Sequence, residues 1–144
     1  MRKLNPKNEN YLATYNNFLT EITTMQQFEA VQANGGTSTD LAIDWLINTL
    51  KDRGPSIAYL ISDGAPNDAN LAITKASRFK EFSHIKLRLY LIDGDKETEE
   101  ITRRLGLAAG RGTKVTCIKN YELADGVIKD IDACLSEMYD IEAF

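Results

Sequence analysis

Long apolar runs are missing from this chain. No stretch approaches the ~18 residues that a membrane-spanning helix requires. The basic opening MRKLNPKNEN has no apolar segment behind it. Neither a membrane span nor a secretory signal is therefore expected. Histidine occurs once, at His84, and cysteine twice. His84, between a helix and a strand, reads as a loop residue with no nucleophile to serve. Cys117 and Cys134 lack the spacing of a metal site and read as buried free thiols, one on a strand and one on the apolar face of a helix. No Ser-His-Asp set and no glycine-rich phosphate loop is visible. A basic excess is also missing: 17 Lys and Arg against 21 Asp and Glu leave a formal charge of −4. Nucleic acid needs a clustered basic face, so it is not expected as a partner. Arg103 and Arg104 share a helix with Glu99 and Glu100 and read as a solvated face. What these absences leave is a cytoplasmic globular protein. Its 144 residues suffice for one domain, 1–144, with a real core.

What is present is periodic. Tyr11, Leu12, Tyr15, Phe18, Leu19, Ile22 and Met25 recur at three- and four-residue steps, which predicts a helix from Asn8 to Met25 within an N-terminal segment 1–27. Asn34, Gly35 and Gly36 predict a turn whose backbone can approach a ligand. A second helix follows, with Ser38 or Thr39 as cap, Asp40 in its first turn, and Leu41, Ile43, Trp45, Leu46, Ile47 and Leu50 as its apolar face. Gly54-Pro55 stops it. Ile57–Ile61 is a short apolar run of the kind buried on both faces of a parallel sheet. Asn67 or Asp68 then caps a helix running to about Phe82. Leu87–Ile92 predicts a strand, Glu97–Leu105 a helix ended by Gly106, Lys114–Ile118 a third strand, and Asn120 the cap of a last helix. Leu123, Val127, Ile128, Ile131, Leu135 and Met138 supply the apolar face of that helix. Alternating strands and helices with short connections predict an α/β domain, layered α/β/α, around a parallel sheet of about three strands.

Two segments carry chemistry. GGTSTDLAIDWLINTL, Gly35 to Leu50, reads as a loop and a helix. IAYLISDGAPND, Ile57 to Asp68, reads as a strand and an acidic turn. This order can bring the hydroxyl of Thr37 and the carboxylate of Asp63 to one end of the sheet, where α/β folds place their ligands. A hydroxyl beside a carboxylate suits a hard divalent cation. Ser38 and Thr39 read as caps able to support that site, Gly64 as its turn, and Asp68 as a helix cap.

From Phe28 onward these segments resemble the von Willebrand factor A (vWA) domain. FEAVQANGGTSTDLAI is similar to its threonine loop and following helix, and AYLISDGAPND to its LLTDG strand and turn. The wording is especially similar to bacterial tellurium-resistance proteins of the TerY type. The resemblance implies a doubly wound, Rossmann-like sheet with a metal-ion-dependent adhesion site. It implies Thr37 and Asp63 as ligands of Mg²⁺ or Mn²⁺, with Gly35, Gly36, Ser38, Thr39, Gly64 and Asp68 around them. The implied function is binding of a protein partner, whose acidic side chain completes the metal shell, without catalysis. The family's first loop, D-x-S-x-S, has no counterpart in this sequence. The expected helix Asn8–Met25 resembles the one that follows that loop. Two further strands normally come between that helix and the threonine loop, and too few residues lie between Met25 and Thr37 to build them. The edge of Ile57–Ile61 would then be exposed, to be covered by another copy, by the N-terminal helix, or by residues of a longer protein of which this chain is a piece.

A second reading starts at LYLIDGDKET. Its Asp93 and Asp95 resemble the D-x-D pair of haloacid-dehalogenase-type phosphohydrolases, nucleophile and acid/base respectively, acting with Mg²⁺. Glu97 departs from that pattern. The plainer reading is an acidic turn that caps the next helix.

Overall fold

The structure, a computed structural model, describes residues 12–15, 19–22 and 37–142. In chain order its elements are β1 (Leu12–Tyr15), β2 (Leu19–Ile22), α1 (Thr39–Leu50), β3 (Ser56–Ser62), α2 (Ala69–Ala76), β4 (Ile85–Ile92), α3 (Lys96–Ala109), β5 (Lys114–Ile118) and α4 (Leu123–Glu142). Short 3-10 turns follow α2 and precede α4, at Ser77–Glu81 and Asn120–Glu122.

Strands β3, β4 and β5 form a parallel sheet in that order, with Ser56 opposite Ile85 and Arg88 opposite Lys114 at the starts of the two ladders. Side chains alternate across a strand. Ala58 and Leu60 of β3 and Leu87 and Leu89 of β4 therefore share one face. There they join Ile43, Leu46 and Ile47 of α1, Ala72 and Ala76 of α2, and Leu105 and Ala109 of α3 in one buried cluster. The other face carries Tyr59, Arg88 and Tyr90, and α4 packs on it. The result is a small α/β, Rossmann-like fold with helices on both sides of the sheet, as the alternating pattern predicts.

The N-terminal expectation is corrected. Within Asn8–Met25 the described residues are not helical. They form an antiparallel pair, with Leu12 opposite Ile22, Thr14 opposite Thr20 and Tyr15 opposite Leu19. The pattern was degenerate: Leu12, Tyr15, Leu19 and Ile22, which would share a helical stripe, face one another in the strand pair as Leu12–Ile22 and Tyr15–Leu19. Thr14, Tyr15, Thr20 and Ile22, β-branched or aromatic, favour the extended chain. This pair is a separate two-stranded sheet, and β1 lies beside α1.

Three smaller differences have local causes. The helix expected to reach Phe82 tightens after Ala76. Thr74 Oγ1 donates to Asn70 O at 2.9 Å and Ser77 Oγ donates to Thr74 O at 2.6 Å, so hydroxyls compete for the helix carbonyls. Gly106 does not end α3 but lies inside it. A Cβ there would stand 2.6 Å from Val115 Cγ2, so glycine lets α3 close on β5. Ile128, expected on the inner face of α4, is exposed.

The rotation of α4 has a polar cause. Among its described side chains, Asp130 and Cys134 are the buried ones, at 7% and 1% exposure. Asp130 accepts from Tyr59 Oη at 2.7 Å and from Arg88 Nε at 3.2 Å. Arg88 also donates to Gly112 O at 2.8 Å and to Cys134 Sγ at 3.2 Å. Burying a carboxylate and a guanidinium demands that they meet, and this requirement selects which side of α4 faces the sheet. Burial, reinforced by the bond to Asp130, pushes the Tyr59 hydroxyl well above its ordinary pKa.

The network makes a prediction. Asp130→Ala leaves Arg88 buried without its partner and is expected to cost about 3 kcal/mol in urea unfolding. Tyr59 is held protonated in the fold, so its contribution is complete below about pH 10 and is lost as pH rises further. Tyr59→Phe should lower stability by about 1 kcal/mol at neutral pH. It should also flatten the decline above about pH 10 relative to the parent.

Candidate functional site

Parallel pairing sends the carboxyl ends of β3, β4 and β5 to one rim. Helix α1 runs back toward the start of β3, so its amino end returns to that same rim. Thr37 precedes α1 and Asp63 follows β3, and both line one cleft with Ile61, Ser62 and Ile92. The cleft measures ≈ 180 Å³, the share of about six liquid waters. An alanine methyl at position 64 would stand 3.6 Å from Thr37 Oγ1, which sets the hydroxyl directly beside the Asp63-Gly64 turn.

Asn67 clasps the two loops, a role not read from the sequence. Its Oδ1 accepts from Thr37 N at 2.9 Å, its own N–H donates to Thr37 O at 2.7 Å, and its Nδ2 donates to Ser38 Oγ at 3.3 Å. The amide side chain offers an acceptor oxygen and a donor nitrogen on separate atoms, so it can hold Thr37 and Ser38 at once. The signal was available as an Asn at the foot of the acidic turn, but Asn67 and Asp68 both read as caps. The cap is Asp68, whose Oδ1 accepts from Leu71 N at 3.0 Å. That bond ties its carboxylate to α2.

The other expected site residues divide as follows. Ser38 occupies the N-cap position of α1 without a side-chain cap bond, because its hydroxyl serves Asn67. Thr39 is 2% exposed, and its Oγ1 is the one buried side-chain N or O atom without a hydrogen-bond partner among the described residues. Gly64 N donates to Ser62 Oγ at 3.2 Å, and that hydroxyl donates to Gly64 O at 2.9 Å, which closes the turn. Gly35 and Gly36 lie outside the described residues.

Asp93 and Asp95 follow β4 on the same rim. Asp93 has a left-handed backbone, φ 50°, and its N–H donates to Ile118 O at 2.9 Å. A Cβ on Gly94 would stand 2.3 Å from Leu91 Cδ2, so the turn needs glycine. Asp95 caps α3: its Oδ1 accepts from Thr98 N at 2.8 Å and from Thr98 Oγ1 at 2.7 Å. These bonds hold its carboxyl below the usual carboxylate range.

His84 packs edge-on to Phe82, and its Nε2 lies 2.9 Å from Leu50 O. A carbonyl only accepts, so this nitrogen carries the proton and closes the carboxyl end of α1. Cys117 is half-buried and Cys134 buried, both free.

As a donor set, the rim cleft offers the carboxylate of Asp63 and the hydroxyls of Thr37 and Ser62, the last already bonded to Gly64. Among the described residues no three His, Cys, Asp or Glu side chains gather where a metal ion could be held, and no helix is long and apolar enough to cross a membrane. A hydroxyl and a carboxylate are donors of the kind a hard divalent cation takes, and Thr37 and Asp63 would supply at most two corners of its shell. No protein-family model and no curated protein matches the chain.

Two substitutions probe the site. Asn67→Ala should cost about 1–2 kcal/mol and speed amide exchange at Thr37, as read by hydrogen exchange. Thr39→Val removes an unpartnered hydroxyl at constant shape, so its melting temperature should equal or exceed that of the parent.

Proposed function

We infer that this chain is a vWA-like protein-binding module whose binding face is the rim around Thr37 and Asp63. The observation that carries this reading is the convergence of that hydroxyl and that carboxylate in one cleft, held by the Asn67 clasp. The paired strands Leu12–Tyr15 and Leu19–Ile22 are in keeping with it, because they stand where the vWA pattern has two strands ahead of the threonine loop. Thr37 and Asp63 would hold Mg²⁺ or Mn²⁺, and an acidic side chain of the partner would complete the shell. The cation's chemistry here is attraction of that carboxylate. The chain's own residues orient the two ligands and leave the rest of the cleft open. Free Cys117 and Cys134 suit a reducing, cytoplasmic setting. The phosphohydrolase reading is weaker, because the carboxylate it needs at Asp95 is engaged by Thr98.

Thermal unfolding tests this reading. A cation at about ten times its Kd stabilises by about 1.4 kcal/mol, which raises Tm by about 3–5 °C for a domain of this size. The shift between Mg²⁺ and EDTA should vanish in Asp63→Ala and Thr37→Val and persist in Asp93→Ala. Equal melting curves with and without Mg²⁺ in the parent would remove the metal from the proposal. Mg²⁺-dependent phosphate release abolished by Asp93→Ala would replace binding with hydrolysis.

A further inference from the structure

Among the described residues, the three most exposed large apolar side chains are Leu107, Tyr121 and Ile128, at 79%, 85% and 57%. They fall on two patches of opposite charge. Leu107 lies in a groove of ≈ 820 Å³ at the carboxyl end of α3, whose charged lining is Lys80, Arg103 and Arg111, with no acidic side chain. None of these three cations makes an ion pair within the described residues, although Lys75 and Arg78 are both paired with Asp44 and Arg88 with Asp130. The stem of Lys80 lies against Gly110, its Cγ 3.0 Å from where a Cβ would be, and Val115 belongs to the same groove.

The second patch is a stripe on α4 and the 3-10 turn that leads into it. Tyr121, Asp125, Ile128 and Asp132 are all exposed. Steps of three and four place Asp125, Ile128 and Asp132 on one side of α4, and Tyr121 lies in the 3-10 turn that leads into it. Lys129 stands about 100° round from Ile128 and flanks the stripe. The turn of α4 that buries Asp130 and Cys134 is what presents this stripe to solvent.

The two patches cannot meet within one molecule, since α3 packs on the Leu89 face of the sheet and α4 on the Arg88 face. They complement one another across two molecules. We propose that the groove of Lys80, Arg103, Leu107 and Arg111 takes the α4 stripe of a second copy, so that the chain associates head to tail. Ile128 and Tyr121 meet the groove's Leu107 and Val115, and Asp125 and Asp132 meet its cations. α4 is 20 residues long, about 30 Å, enough to cross such a groove. A contact of this kind joins different surfaces on the two partners, so it grows into open chains or closes into a ring. It is independent of the Thr37–Asp63 rim.

Sedimentation velocity across a concentration series, in EDTA and at low ionic strength, tests this. The parent should show a sedimentation coefficient that rises with concentration, and association should weaken about tenfold at high salt. Arg103→Glu with Arg111→Glu, and separately Asp125→Lys with Asp132→Lys, should each weaken association at least about tenfold. Circular dichroism on both variants checks that these exposed changes leave the fold intact. Mixing the two variants pairs opposite charges again and should restore association that neither shows alone. A parent that stays monomeric throughout, a folded variant that associates as the parent does, or a mixture that fails to associate would each overturn the proposal.

Discussion

The parallel pairing of β3 with β4 is the constraint on which the rest depends. Seven register partners, from Ser56–Ile85 to Ser62–Leu91, fix the two strands side by side and point them the same way. A parallel pair cannot be joined by a tight turn, so α2 and its 3-10 extension must carry the chain back across one face. The same need places α3 between β4 and β5. Every strand then ends at one rim, and every loop able to hold a ligand opens there. The cleft of Thr37 and Asp63 follows from this arrangement.

The two faces of the sheet are stabilised differently. Beneath α1, α2 and α3 the contacts are almost wholly apolar, with Ile43 and Ile47 at 1% and 0% exposure. Beneath α4 the contact is polar and directional, because Asp130 must reach both Tyr59 and Arg88. One charged pair therefore sets the helix rotation, sends Ile128 and Asp132 outward, and shapes a surface far from itself.

Much of the fold was legible because its signals are local. The run Ile57–Ile61, the capping residues Asp68 and Asp95, and the Asp-Gly turns after β3 and β4 each act within a few residues. What resisted reading was pairing. Leu12, Tyr15, Leu19 and Ile22 satisfy a helical period and an antiparallel strand register equally well, and only their β-branched and aromatic neighbours tilt the balance. Gly106 looked like a helix end because its reason, the approach of Val115, lies on another strand. In the candidate site, Thr37, Asp63 and Gly64 were visible by residue type, whereas Asn67 was hidden because its partners come from a loop that precedes it by thirty positions.

By itself the sequence determined the element types from Thr39 onward, their order, and thus a parallel α/β sheet with an oxygen-bearing rim. These follow from periodicity, capping and chain direction, which operate over short spans. Only the tertiary structure decided which residue holds the rim loops together, which side of α4 is buried, and that the N-terminal segment pairs as strands. Each of those outcomes depends on a hydrogen bond, ion pair or close contact between distant residues, and such partners are chosen in space.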